Sequence, residues 1–216
     1  MTTTTTITAS PTDAAIDTPQ IPPGKALLAA FASTFGWALD LFDLFILLYV
    51  APIIGRTFFP TDNPTVELLY SLAGFAIGFG FRPLGAMLFG YLGDRLGRKY
   101  TFLATIVLMG LATAGVGLTP SAASIGVAAP VILIALRIAQ GLALGGEYGG
   151  AAIYVAEHAK HDKRGASTGW IQISAAFGLI GALAVVFVTR AAMGEEAFRA
   201  WGWRIPFLVS IGLLLI

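Results

Sequence analysis

The sequence predicts an all-α membrane protein, a bundle of helices solvated by lipid, and three observations carry that prediction. Charged residues make up only 12% of the chain, against about a quarter in soluble domains. Hydrophobic residues reach 56% and the mean hydropathy is +0.80. Apolar stretches of about 20 residues or more recur, the length that crosses hydrocarbon as a helix, and short polar stretches separate them. The net charge of +1 provides no broad basic surface for nucleic acid. With no cysteine there are neither disulfides nor thiolate metal sites. No cofactor is expected.

Residues 1–24 are rich in Thr and end on Pro22-Pro23-Gly24. They lack the basic and apolar regions of a signal peptide and the arginines of a transit peptide, so a disordered cytosolic tail is expected. The first span covers 26–54 and holds Asp40 and Asp43, three apart and therefore on one face. Carboxylates are costly at membrane depth. They form either a structural pair hydrogen-bonded within the bundle or a proton or ligand site lining a polar cavity, and the second reading is adopted. From 56 to 65, Pro60, Asp62, Asn63 and Pro64 predict a turn-rich external loop.

The second span, 67–92, contains Gly74, Gly78, Gly80, Gly85 and Gly90. No strand precedes them, so they predict small faces for close helix packing rather than a nucleotide fingerprint. Arg82 lies inside this span and must pair with a carboxylate or face water, either bracing the bundle or meeting a solute. The run Gly90-Tyr91-Leu92-Gly93-Asp94-Arg95-Leu96-Gly97-Arg98-Lys99 then interrupts the apolar pattern. Its charges cannot lie in hydrocarbon, and with Gly93 and Gly97 they predict a tight turn at a membrane boundary. Written as G-x-L-G-D-R-x-G-R-K, the run resembles the signature between the second and third helices of the major facilitator superfamily of secondary transporters. The resemblance implies a gating loop of Gly90, Gly93, Asp94, Arg95, Gly97, Arg98 and Lys99, with Asp94, Arg95 and Arg98 latching helices of both transporter halves.

The third span, 100–118, is nearly free of charge and reads as a supporting element ended by Thr119-Pro120-Ser121. The fourth, 127–156, carries Arg137, Gln140 and Glu147, which at about 100° per residue fall in one quadrant of the helix. This polar stripe serves either pairing with neighbouring helices or a solute site. Together with Gly141, Gly145, Gly146, Gly149 and Gly150 it resembles the fourth helix of the metabolite:proton symporter branch of the superfamily, which implies organic-solute uptake driven by protons. The loop 157–164 offers His158 and His161, but without a companion ligand cluster it reads as an exposed charged loop, not a metal site. In the fifth span, 167–188, Gln172 suits a hydrogen bond within the bundle and Trp170 the interfacial belt. Trp201-Gly202-Trp203-Arg204-Ile205-Pro206-Phe207 resembles the cluster that introduces the sixth helix of that branch, with Trp201 and Trp203 expected as interfacial anchors.

The resemblance covers nearly everything after residue 25. It implies the six-helix N-terminal half of a twelve-helix major facilitator fold, with the sixth helix, 201–216, truncated and the C-terminal half missing from this chain. Lys25, Arg95, Arg98, Lys99, Lys160, Lys163 and Arg164 on one side outnumber Arg56, Arg190, Arg199 and Arg204 on the other. That bias predicts a cytoplasmic N-terminus in a plasma or inner membrane. The expected function is proton-coupled uptake of a small organic solute by alternating access: a dicarboxylate, a shikimate-like acid, a betaine or an amino acid. Leu41 stands where the branch usually carries an aromatic, which leaves these solutes open. Asp43 is the first choice for the proton, with Asp40 and Glu147 beside it. Arg137, Gln140 and Arg82 are the expected solute contacts, with Glu147 as the internal partner of Arg137 when the site is empty. A membrane enzyme using Asp40 and Asp43 as acid and base would need a nucleophile or metal constellation that the sequence lacks. A non-transporting scaffold or sensor on the same half-fold would not need the buried charges.

Overall fold

The computed structural model describes residues 23–158 and 164–214. Of the expected tail, 1–24, residues 1–22 lie outside the described residues, while Pro23 and Gly24 belong to the first helix; the loop positions 159–163, with His161, and the side chains of 23–37 and 148–174, including His158, Trp170 and Gln172, also lie outside them. α1 (Pro23–Phe58) is a helix of 36 residues. It is followed by α2 (Pro64–Gly80), whose start is set locally. The Asn63 side chain accepts a hydrogen bond from the Thr65 N–H at 2.9 Å, and Pro64 occupies the first turn, where its missing N–H costs nothing.

The stretch expected as one helix over 67–92 is divided. α2 ends at Gly80 and α3 (Arg82–Leu96) begins beyond Phe81. Pro83 has no N–H to offer the preceding turn, and the Phe81 N–H is shared between the carbonyls of Ile77 and Gly78 at 3.2 and 3.3 Å. At the other end, Gly90 and Gly93 lie within α3, so the expected turn contracts to Gly97. Its φ of 94° is a conformation that a side chain would strain.

α4 (Arg98–Leu118), the short α5 (Ala122–Ile125), α6 (Ala128–His158) and α7 (Arg164–Met193) follow. The segment expected as one sixth span from 201 instead contains a 3-10 turn (Gly202–Arg204) before α9 (Ile205–Leu214), with α8 (Glu195–Ala200) ahead of it. Among the described residues, five stretches are long and apolar enough to cross a membrane: Asp40–Phe58, Pro64–Leu96, Lys99–Leu118, Ala128–Glu147 and Ala175–Met193. Met87, Val131, Phe187 and Val188 lie exposed on these stretches, as side chains facing hydrocarbon do.

The core joins Ile46, Val50, Ile54 and Phe58 of α1 to Ala182 and Val186 of α7 and to Ala129 and Leu133 of α6. The end of α1 thus meets the start of α6, and the two helices run antiparallel. Trp203 also belongs to this core, which corrects its expected place at the interface. It is 1% exposed and meets the rings of Phe58 and Phe207 edge-on. The cause is Arg204, whose Nη1 donates to the carbonyls of Gly117 and Thr119 at 2.8 and 2.7 Å, pinning the 3-10 turn to the end of α4. Trp201 remains exposed. Trp203→Ala is expected to cost about 3–5 kcal/mol, read as a lowered melting temperature in detergent, whereas Trp201→Ala should stay within about 0.5 kcal/mol.

α2 and α3 pack on α6 almost backbone to backbone. A Cβ on Gly141 would lie 1.9 Å from the Gly78 carbonyl oxygen, one on Gly145 2.0 Å from that of Arg82, and one on Gly85 2.1 Å from that of Leu142. Gly78 and Gly85 therefore make the close approach expected of them. Gly74, Gly80 and Gly90 do not, since added Cβ atoms there meet nothing within 4 Å.

Candidate functional site

The glycines hold α6 close against α2 and α3, and the polar stripe of α6 meets α1 and α4. Arg137 and Gln140, one turn apart on α6, share a face. Arg137 Nη1 donates to Gln140 Oε1 at 2.7 Å and to Asp43 Oδ2 at 3.4 Å. Gln140 Nε2 donates to the same Asp43 oxygen at 3.0 Å and to Thr113 Oγ1 on α4 at 2.8 Å. All four residues are buried. An ion pair at this depth persists only when further hydrogen bonds offset the desolvation of both charges, and Gln140 and Thr113 supply them.

The pairing is incomplete in a specific way. Asp43 Oδ1 and Arg137 Nη2 are both buried without a hydrogen-bond partner. A guanidinium can hold a carboxylate through two parallel N–H donors, yet here Arg137 uses one nitrogen and leaves the other free. The internal partner of Arg137 is Asp43 and not, as expected, Glu147. Glu147 lies ten residues further along α6, about 15 Å of helix rise away, so sharing a face of the wheel does not bring the two together.

Arg82 enters from the break at Phe81. Its guanidinium carbon lies 3.7 Å from the centre of the Phe79 ring, a cation–π contact, and its buried Nε has no partner. Asp40, one turn before Asp43, is 7% exposed and feels the charges of Glu147, Asp43 and Arg82. Glu147 is 2% exposed. Asp40 Oδ2 and Glu147 Oε1 lack hydrogen-bond partners.

A crevice of about 30 Å³ opens among these groups, lined in part by Asp40, Asp43, Phe75, Arg82, Arg137 and Gln140. Sites that enclose a small organic ligand run to roughly 300–1,000 Å³, so the crevice by itself is too small to enclose one. Among the described residues no group of three or more His, Asp or Glu side chains could hold a metal ion.

Two kinds of contributor escaped the sequence reading. Thr113 completes the network from a helix read as merely supporting. The signal was available in the stripe Thr101, Thr105 and Thr113, spaced by four and eight residues and buried throughout. Phe75 and Phe79 on α2, with ring centres 4.6 Å apart, form the apolar side of the crevice, and nothing in their pattern separated them from lipid-facing phenylalanines.

The residues expected to form a gating loop flank Gly97. Asp94, Arg95 and Lys99 are exposed there, and the Arg95 guanidinium lies 4.5 Å from the Tyr91 ring centre. The Arg98 side chain lies outside the described residues.

Residues 28–216 match the family model described as "Sugar (and other) transporter". The chain is 41% identical over 193 residues to the proline/betaine transporter of Salmonella typhimurium, covering 89% of this chain and 39% of that one. It is 42% identical over 194 residues to the shikimate transporter of Escherichia coli, covering 88% and 44%. It therefore spans less than half the length of these curated relatives. Among solved structures it is similar to the major facilitator superfamily proton:xylose symporter XylE bound to 6-bromo-6-deoxy-D-glucose. That match has a TM-score of 0.74 at 19% identity and covers 89% of this chain and 44% of the other, a likeness that establishes the fold.

Proposed function

The chain belongs to the sugar (and other) transporter family and carries the N-terminal half of the major facilitator fold, and on that premise we propose that it forms one wall of a proton-coupled carrier for small carboxylate-bearing solutes. The observation that supports this reading most directly is the half-used Arg137, a buried guanidinium with one free nitrogen beside an Asp43 with one free oxygen. A solute carboxylate can take both arms of Arg137 only if Asp43 gives up its place, and protonation of Asp43 releases it. Solute binding and proton binding are then linked through one ion pair.

The solutes named for the relatives fit this chemistry, since proline, betaine and shikimate each carry a carboxylate. Gln140 and Arg82 line the crevice beside Arg137 and complete the solute contacts. Asp40 and Glu147 take part in coupling with Asp43. A second six-helix half closes the crevice from the opposite side, and the two halves rock to expose it to either face of the membrane in turn. The turn at Gly97, with Asp94, Arg95 and Arg98, latches the two halves on the cytoplasmic side. The basic bias of that side supports a cytoplasmic N-terminus in the plasma or inner membrane.

The test is uptake by the complete protein reconstituted in vesicles with an imposed pH gradient. Proline, glycine betaine and shikimate are offered separately, and at least one is expected to accumulate and to leak away when a protonophore is added. Asp43→Asn should insert normally yet accumulate nothing. Accumulation that persists without a proton gradient, or is undiminished in Asp43→Asn, refutes the coupling.

A further inference from the structure

A larger cavity lies at the end of the bundle opposite the Gly97 turn. It measures about 530 Å³ and is lined in part by Arg56 and Thr57 from the end of α1, Ser121 and Ser124 around α5, and Trp201 and Arg204 beside the 3-10 turn. It shares no lining residue with the crevice. Arg56 stands thirteen residues beyond Asp43 on α1, about 20 Å along the axis, so the two sites are separate.

The charge of this cavity is one-sided, since Arg56 and Arg204 line it and no carboxylate does. Arg204 is fixed in place. Its Nη1 donates to the carbonyls of Gly117 and Thr119, and its guanidinium carbon lies 4.8 Å from the centre of the Trp203 ring, a cation–π contact. Its Nε and Nη2 donate to no described residue, which leaves three of the five N–H groups of a guanidinium. Burial lowers its proton affinity below the usual arginine value, and no acid offsets that. Arg56 is exposed, and Glu67, the carboxylate nearest it, stands 3.8 Å away, too far for a hydrogen bond. Glu67 accepts instead from the Thr61 N–H at 3.1 Å. Ser121 and Ser124 add exposed hydroxyls 3.2 Å apart. The donors converge and the matching oxyanion is missing.

Depth in the membrane selects the oxyanion. The spans end at Phe58 and Leu118 and resume at Ala128, and the cavity is lined by segments at or just beyond those limits, the level at which a bilayer places its headgroups. Leu118, Val127 and Trp201 lie exposed at the same end, an apolar rim that a hydrated free ion would leave in water. A phospholipid covers that rim with its chains and presents its phosphate to the guanidinia, the anion that a guanidinium holds best. A headgroup with no ammonium of its own leaves the phosphate charge for the protein to neutralise.

We infer that this cavity binds the phosphate of an anionic phospholipid. Arg56 and Arg204 hold its oxygens, Ser121 and Ser124 meet the hydroxyls of the headgroup, and the chains lie against Leu118 and Val127. The inference needs the spans to lie in a bilayer and does not rest on solute transport.

The complete protein, purified in dodecyl maltoside, is titrated with phosphatidylglycerol, phosphatidylcholine and inorganic phosphate, and bound lipid is counted by native mass spectrometry. Phosphatidylglycerol is expected to bind saturably and more tightly than phosphatidylcholine. Arg56→Gln should weaken it by about tenfold, the scale of one charge-assisted hydrogen bond. Arg56→Gln combined with Glu67→Gln strands no carboxylate and should show the same loss, which keeps the test decisive if the single variant folds poorly. Arg199→Gln, at the same end but lining a different cavity, should bind as the unaltered protein does. Equal binding of phosphatidylcholine, or phosphatidylglycerol binding undiminished in both Arg56 variants, overturns the proposal. Inorganic phosphate that displaces phosphatidylglycerol at equal concentration marks a free-anion site and overturns the lipid assignment.

Discussion

Arg137→Met is expected to reduce solute accumulation by about 100-fold or more, the scale on which truncating one partner of a buried, hydrogen-bonded charge pair acts. The same substitution should lower stability by about 3–5 kcal/mol, because it strands Asp43 at 5% exposure without its counter-charge, although Gln140 still donates to it. The two effects can be separated. Arg137→Met combined with Asp43→Leu removes both members of the ion pair, so the melting temperature should recover while transport stays absent. Arg137→Lys keeps the charge but loses the planar fork; it should fold well and raise the solute concentration for half-maximal uptake steeply. Uptake by Arg137→Met within a few-fold of the unaltered protein would remove Arg137 from the solute site.

The second large effect is steric. Gly141→Leu is expected to prevent the bundle from assembling, seen as loss of monodisperse protein after extraction in detergent. A Cβ at this position lies 1.9 Å from the Gly78 carbonyl oxygen, and that atom is backbone, unable to swing aside as a side-chain tip would. Overpacking usually costs about 1–3 kcal/mol where side chains can yield, and here nothing yields until α2 and α6 separate. Even Gly141→Ala should be strongly destabilising. Gly74→Ala and Gly90→Ala meet nothing within 4 Å and serve as controls; if Gly141→Ala melts with them, the close approach of the two helices is wrong.

The bundle was legible for a simple reason. A stretch such as 100–118 declares itself by the summed transfer free energy of its own residues, a sum that needs no partner. The site was legible as a list for a related reason. Asp40, Asp43, Arg82, Arg137, Gln140 and Glu147 each stand out by being costly where they are. Their grouping was not. Arg137 and Glu147 share a helix face, and face alone suggested that they compete for each other, whereas Asp43 from a helix ninety-four residues away takes the position. Trp203 failed in the same way, because aromatic residues near a span end suit an interface and a core equally until Arg204 is seen to tie the turn to α4. Thr113 was overlooked because one hydroxyl on an apolar helix is inexpensive and carries no alarm.

What the chain determines by itself is that its helices lie in lipid, where the polar interruptions fall, and which charges must find company inside. Those properties are local, set residue by residue by the cost of removing a group from water. Which carboxylate meets Arg137 depends on how α1 and α6 are rotated and staggered. That register is decided by contacts between distant segments, above all the glycines that let backbones touch, and only the folded bundle contains it.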